Sequence, residues 1–338
     1  MAWYQVKGNE QDVVFSSRIR FARNIEGYAF GAHLGSEDAD KIIDLVADAL
    51  GERFKKKNMA DLSPLATEAL VEQHLISRDF AKVKGPHALF CDDSKSVSVM
   101  CCEEDHIRLQ CILPGLSLRD AYRFACECDD VLDAALPIAF DERLGYLTHC
   151  PTNLGTGLRA SVMLFLPALT ERGMIPSLSH QLAKLGLTMR GLYGEGSRAH
   201  GFLYQVSNQV TLGLSEEEIL QKLSEAVESV IEKERALRAE VTGEAALHRA
   251  DRIHRAEGVA RFATMLSSEE FFSLFADLKL GVALGEITSL THEALHAMLI
   301  HSLPATLSLQ AADTPKSGTQ RDLARAAFLK QCWEVQKK

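Results

Sequence analysis

The chain has 338 residues, a formal net charge of −9, and 46% hydrophobic and 25% charged residues. That length suits one large or two ordinary domains, and the acidic balance excludes a general attraction to nucleic acid or anionic membrane. The longest apolar runs, such as Ser161 to Leu169, fall short of the ~20 residues a membrane span needs, and residues 1–15 lack a basic-then-apolar signal peptide, so a cytoplasmic location is expected.

Val13 to Asn24 reads as a strand in which Arg18 and Arg20 share one face and Ile19 and Phe21 the other. Two guanidinium forks side by side suit phosphate oxygens. Ser36 to Lys57 reads as a helix on Ile42, Ile43, Val46, Ala49 and Leu50. Val97 to Ile112 reads as two strands around an acidic turn, and strand parity assigns Glu104, His106 and Arg108 to one reacting face. Ser117 to Leu136 and Ala160 to Thr170 read as helices. Before the second of these lies Cys150-Pro151-Thr152-Asn153-Leu154-Gly155-Thr156-Gly157-Leu158-Arg159. Its glycines let backbone N–H groups approach an anion, with a helix N-terminus expected behind them and Arg159 in the first turn. No Gly-Lys-Ser/Thr follows, so it is not a Walker motif.

Leu187 to Leu212 mixes strands with glycine-rich loops and carries Arg190 and Glu195. Ser215 and Glu218 form a capping box that opens a helix to about Ala239. Residues 240–338 are rich in Ala, Leu, Glu and Arg, which divides the chain into a catalytic domain over 1–238 and a helical domain over 239–338, with a loop from Ala311 to Gln320 before a last helix. The eight cysteines lack paired CxxC spacing and read as reduced thiols, with no metal site expected. His292-Glu293-Ala294-Leu295-His296 matches the zinc-protease pattern, with His301 as a third candidate ligand. The same helix offers Ala294, Leu295, Met298 and Leu299 for packing and no metzincin extension follows, so packing is the preferred reading.

Taken together, Ser16-Ser17-Arg18-Ile19-Arg20, Glu103-Glu104-Asp105-His106-Ile107-Arg108, the Cys150 to Ser161 run and Arg190 to Ser197 resemble the phosphagen (guanidino) kinase family, closest to its bacterial protein arginine kinases. The resemblance runs from about residue 14 to the end of the sequence. It implies an α+β fold: a catalytic domain with a largely antiparallel sheet flanked by helices, followed by an α-helical domain. It implies that Arg18, Arg20, Arg108, Arg159 and Arg190 hold ATP phosphates, together with Ser16, Ser17, Ile19, Ala160, Ser161, Val162, Met163, Gly191, Leu192, Tyr193 and Gly194, and that His74 lies near the adenine. Glu104 and Glu195 are implied to grip the substrate guanidinium, with Cys150 beside it. ATP and Mg²⁺ are the implied cofactors. Cys102 stands where the family usually has asparagine.

Two features point to a protein substrate. The Ser-Ser-Arg strand begins near residue 16, leaving no room ahead of it for the small helical domain that covers the site in free-arginine and creatine kinases. Arg321-Asp322-Leu323-Ala324-Arg325-Ala326 resembles the family's allosteric phosphoarginine motif, with Arg321, Asp322, Arg325 and Ala326 implied to bind. The implied partners are proteins with accessible arginines, a McsA-like activator, a heat-shock repressor, a Clp-type unfoldase and a second copy of the chain. The alternatives are a free-arginine phosphagen kinase and a catalytically silent phosphoarginine-binding adaptor.

Overall fold

The computed structural model describes residues 1–191, 200–311, 314–315 and 317–335. Its strands are β1 (Val14–Arg23), β2 (Lys55–Asn58), β3 (Ala88–Cys91), β4 (Val97–Cys101), β5 (Ile107–Pro114), β6 (Phe140–Asp141), β7 (Gly145–Tyr146), β8 (Leu158–Phe165), β9 (Leu187–Gly191) and β10 (Leu203–Asn208). Eight of them form one sheet in the order β2-β3-β4-β5-β1-β8-β10-β9, and β6 and β7 form a separate hairpin. Every pairing in the large sheet is antiparallel.

The helices of the catalytic part are α1 (Ser36–Leu50), α2 (Pro64–Glu72), α3 (Leu118–Ala135), α4 (Pro167–Glu171), α5 (Ile175–Lys184) and α6 (Glu216–Ala239). One face of the sheet is apolar: Ile19, Phe21, Leu109, Ala160, Val162 and Val206 pack against α1, α3 and α6. Burying a side chain of this size is worth about 1.5–3 kcal/mol. The Ser215 capping box opens α6 as the sequence indicates. Near the other end of α6, buried Glu234 accepts the N–H groups of Ala168 and Leu169, both at 3.0 Å, and pairs with Arg238 at 2.7 Å, closing the exposed start of α4.

Residues beyond α6 are helical: α7 (Gly243–Phe262), α8 (Ser268–Ala283), α9 (His292–His301), α10 (Pro304–Gln310) and α11 (Gly318–Val335). Their apolar core includes Phe271, Phe275, Leu295, Leu299 and Trp333, and it runs on into Trp3, Tyr4 and Phe15 at the start of the chain. The helical part therefore packs on the segment that leads into β1. Glu72 at the end of α2 adds a second tie, accepting the N–H groups of Ala305 and Thr306 at the start of α10, at 2.9 and 2.6 Å.

Two expected helices differ. The first ends at Leu50, because Gly51 takes φ 59°, and residues 55–57 form edge strand β2 instead. The second, from Ala160, is strand β8 followed by the short α4. An apolar run buried on both faces of a central strand lacks the alternation that would have marked it. The glycine loop before β8 consequently leads into a strand, and any anion there meets side chains of the sheet, not a helix N-terminus.

Candidate active site

Antiparallel register brings the predicted arginines together on the polar face of the sheet. Arg20 of β1 lies opposite Arg159 of β8 on one side and Gln110 of β5 on the other, while Arg18 lies opposite Ser161. Arg108 opposes Ala22, and Arg190 of β9 opposes Gln205 of β10. Arg18 donates to Gln205 Oε1 at 2.8 Å, and Arg108 to Glu103 Oε2 at 2.6 Å. The Nε groups of Arg20 and Arg159 are buried without a partner. Burial, then the charges of Arg108 and Arg159, pushes the Arg18 guanidinium down to about 10; burial and the same neighbours, with Arg18, lower Arg20 further. Burial followed by the nearby charge of Arg190 lowers Arg159. Cations packed this closely repel one another unless a polyanion lies among them.

Two cavities open on this face. One, of about 110 Å³, is lined by Arg20, Arg108 and Arg159 on one side and by Glu104, Cys150, Thr152 and Asn153 on the other. The second, of about 100 Å³, is lined by Ser16, Arg18, His74, Ser161, Met163, Gln205 and Trp3. Arg18 and Arg20 are alternate residues of one strand, so the cavities lie about one strand repeat, roughly 7 Å, apart. Larger cavities of about 410, 500 and 610 Å³ occur elsewhere, but none of them gathers the arginine row.

The acidic side of the first cavity is held in place by a network. Asp105, 5% exposed, accepts from Asn24 Nδ2 and from the His149 backbone N–H, both at 2.7 Å, and so joins the turn bearing Glu104 to the segment bearing Cys150. The Thr211 hydroxyl reaches the carbonyls of Thr152 and Leu154 at 2.9 and 2.6 Å. Arg23 donates to the Thr156 carbonyl at 3.0 Å, pairs with Asp129 at 2.6 Å and lies 3.5 Å over the Tyr146 ring. Gly157, at φ 64°, lets the loop approach β1: a Cβ there would meet the Ala22 carbonyl oxygen at 2.7 Å. Cys150 is half-buried, with Sγ 3.1 Å from the Thr152 hydroxyl oxygen.

His74 sits at φ 60°, and its carbonyl accepts from Gln110 Nε2 at 2.7 Å. Burial and the neighbouring Arg18 push its imidazole down to about 4, so it is neutral at physiological pH.

Not every expected residue reaches the cavities. The Ser17 hydroxyl, fully buried, donates to the Gly115 carbonyl and accepts from the Ser117 N–H, and the side chains of Ile19, Ala160 and Val162 point into the opposite core. Strand alternation sends them there. His106 leaves the arginine face because the parity count does not survive the turn before β5. Its Nδ1 accepts from the Ile25 N–H at 3.0 Å and its Nε2 contacts the Ala29 carbonyl oxygen at 2.9 Å. Glu195, Leu192, Tyr193 and Gly194 lie outside the described residues, while Gly191 ends β9.

His296 of the zinc-like motif is buried at 3.1 Å from the Lys279 ammonium and 4.0 Å from the Phe15 ring, and His301 packs on Tyr4 and Phe328. A cation at His296 Nε2 competes with any metal there, and no group of side chains suited to a metal occurs among the described residues. Arg325, 1% exposed, spends its donors on the carbonyls of Ser302 and Leu266, on Asp322 and on the Ser268 hydroxyl. Arg321 and Asp322 are half-buried, and Ala326 lies in the helical core. Sequence reasoning gave no role to Gln205 or Trp3, nor to Glu103 and Asp105, which stand in the quoted acidic turn. Alternation within β10 could have flagged Gln205; Trp3 carries no local signal.

This set of arginines facing a carboxylate and a cysteine across one sheet is that of a phosphotransferase acting on a guanidino group, and the chain belongs to the ATP:guanido phosphotransferase family, whose C-terminal catalytic domain matches residues 39–237. The C-terminal domain of the protein-arginine kinase McsB matches residues 246–338. The chain is similar to the protein-arginine kinase of Desulforamulus reducens, 42% identical over 338 residues that cover 97% of this chain and 94% of the relative. It is similar also to that of Symbiobacterium thermophilum, 41% identical over 336 residues, covering 97% and 95%. Among solved structures, the duplicated taurocyamine kinase from Schistosoma mansoni superposes with a TM-score of 0.62 at 27% identity, covering 74% of this chain and 38% of that one. Lombricine kinase shares the fold, with a TM-score of 0.61 at 24% identity, covering 71% and 70%.

Proposed function

We infer that this chain is a protein arginine kinase, transferring the γ-phosphoryl group of ATP to arginine side chains in proteins. The observation that carries the reading is the placement of the two cavities along β1, one at Arg18 and His74 and the next joining Arg20, Arg108 and Arg159 to Glu104 and Cys150. The names of the full-length relatives, and the match of residues 246–338 to a domain of such kinases, support arginine in proteins over free arginine.

A protonated guanidinium is no nucleophile, so the acceptor must lose a proton as it attacks. Glu104 can accept one of its N–H groups and take that proton while the nitrogen bonds to the γ-phosphorus and ADP departs. Arg18, Arg20, Arg108, Arg159 and Arg190 neutralise charge on the phosphoryl oxygens and on the leaving ADP. Cys150, supported by the Thr152 hydroxyl, lies beside the acceptor. Glu195 is proposed as the second carboxylate. Mg²⁺ enters as part of the substrate MgATP: Glu103 is bound to Arg108 and Ser77, and no carboxylate cluster that could hold the ion by itself occurs among the described residues.

No helix among the described residues is long and apolar enough to cross a membrane. A cytoplasmic location, a homodimer, regulation through Arg321 and Asp322, and the activator, repressor and unfoldase partners belong to this proposal and rest on the family resemblance. The test is incubation with ATP, Mg²⁺ and an arginine-rich protein, beside free arginine, followed by mass spectrometry. Acid-labile phosphate on protein arginines is expected; phosphate on free arginine alone, or on neither, rules the reading out.

A further inference from the structure

Trp3 lies in a single 3₁₀ turn, Trp3–Gln5, ahead of β1. It is 2% exposed, yet it lines the recess that also holds Ser16, Arg18, His74, Ser161 and Gln205. Its ring is fixed edge-on against Tyr4 at 5.5 Å and Phe15 at 6.1 Å, and lies 6.4 Å from the His74 ring at an angle of 51°. Within that packing its Nε1 is buried and has no hydrogen-bond partner. An indole N–H only donates, and leaving it unmet inside a protein costs the desolvation of that group. Both features are resolved by a flat heteroaromatic ligand that slides beside the two rings and presents an acceptor atom. The arginine row begins at Arg18 in the same recess, so a group tethered to phosphates on that row is delivered to it.

We propose that Trp3 is a nucleotide-binding residue, walling the purine of ATP together with His74 and donating its Nε1–H to an acceptor nitrogen of that base. The inference rests on the kinase reading above and deepens it by assigning the base contact. Trp3 also belongs to the core of the helical part, with Leu295 and Leu299.

The chain has two tryptophans, Trp3 and Trp333, so Trp333→Phe leaves Trp3 as the sole indole. In that variant, MgADP is expected to change the tryptophan emission and inorganic tripolyphosphate to leave it unchanged, although both bind by calorimetry. Trp3→Phe keeps a ring and loses the N–H. It is expected to bind MgADP about tenfold more weakly, the loss of one hydrogen bond, with tripolyphosphate affinity kept, which also certifies a folded arginine row. An emission indifferent to saturating MgADP, or a Trp3→Phe protein that binds MgADP as the parent does, overturns the assignment while leaving the kinase reading intact. Failure of the parent protein to bind either ligand overturns both.

Discussion

Glu104 is half-buried and lines the cavity of about 110 Å³ together with Arg20, Arg108 and Arg159. Glu104→Gln keeps its size and removes its basicity, so turnover is expected to fall about 10²–10⁴-fold while MgATP affinity, measured by calorimetry, stays within about twofold. Equal loss of binding would place Glu104 on the nucleotide. Arg159→Ala should do the reverse, weakening MgATP binding first. Neighbouring Cys102 explains the family's asparagine: its φ is 66°, a left-handed conformation that asparagine adopts more readily than most residues, and its side chain is buried against the Ala39 carbonyl. In the helical part, the two arginines of the phosphoarginine-like motif should separate. Arg325→Ala orphans two carbonyls and Asp322 and is expected to cost about 3 kcal/mol in denaturant unfolding. Arg321→Ala should leave stability nearly unchanged and abolish binding of free phosphoarginine.

The elements meet at a buried charge. Lys279 of α8 is fully buried, donates to the Gln11 carbonyl at 2.7 Å and lies over the rings of Phe15 and Phe165 at 6.0 and 5.5 Å. Burial, then the charge of Arg238, brings its ammonium down to about 7, against the opposing pull of Asp12 and Glu293. A lysine in the unfolded chain binds its proton up to about 10.4. Between those values this group keeps its proton in the unfolded state and loses it in the folded one, so its contribution to stability should rise with pH from about 7 to 10. The difference in denaturation midpoint between the parent protein and Lys279→Met should move in the parent's favour as pH rises across that range; a difference that stays constant or moves the other way would refute the account of this junction. The element scale also marks the limit of sequence reading. Strand β1, the pair β4–β5 and the capped α6 were legible because alternation or capping chemistry is local. Strand β8 was not, since a strand covered on both faces reads as any apolar run, and β2 was hidden behind the glycine that stops α1.

At the scale of the molecule, the arginines were readable as residues, but their meeting was not: Arg20, Arg108 and Arg159 come from three strands whose adjacency is a property of the sheet. The same holds for the Asp105 bridge between the Glu104 turn and the Cys150 segment, which joins distant residues through one carboxylate. The proposed function orders the reaction in space, with base recess, phosphate row and acceptor cavity following one another along β1. The most direct measurement is a crystal structure with MgADP, nitrate in place of the transferred phosphoryl group, and an arginyl peptide. The account predicts ADP phosphates on Arg18, Arg20 and Arg159, and the peptide guanidinium within about 3 Å of Glu104, with nitrate between them. A guanidinium bound on another face of the sheet, or phosphates away from β1, would contradict it.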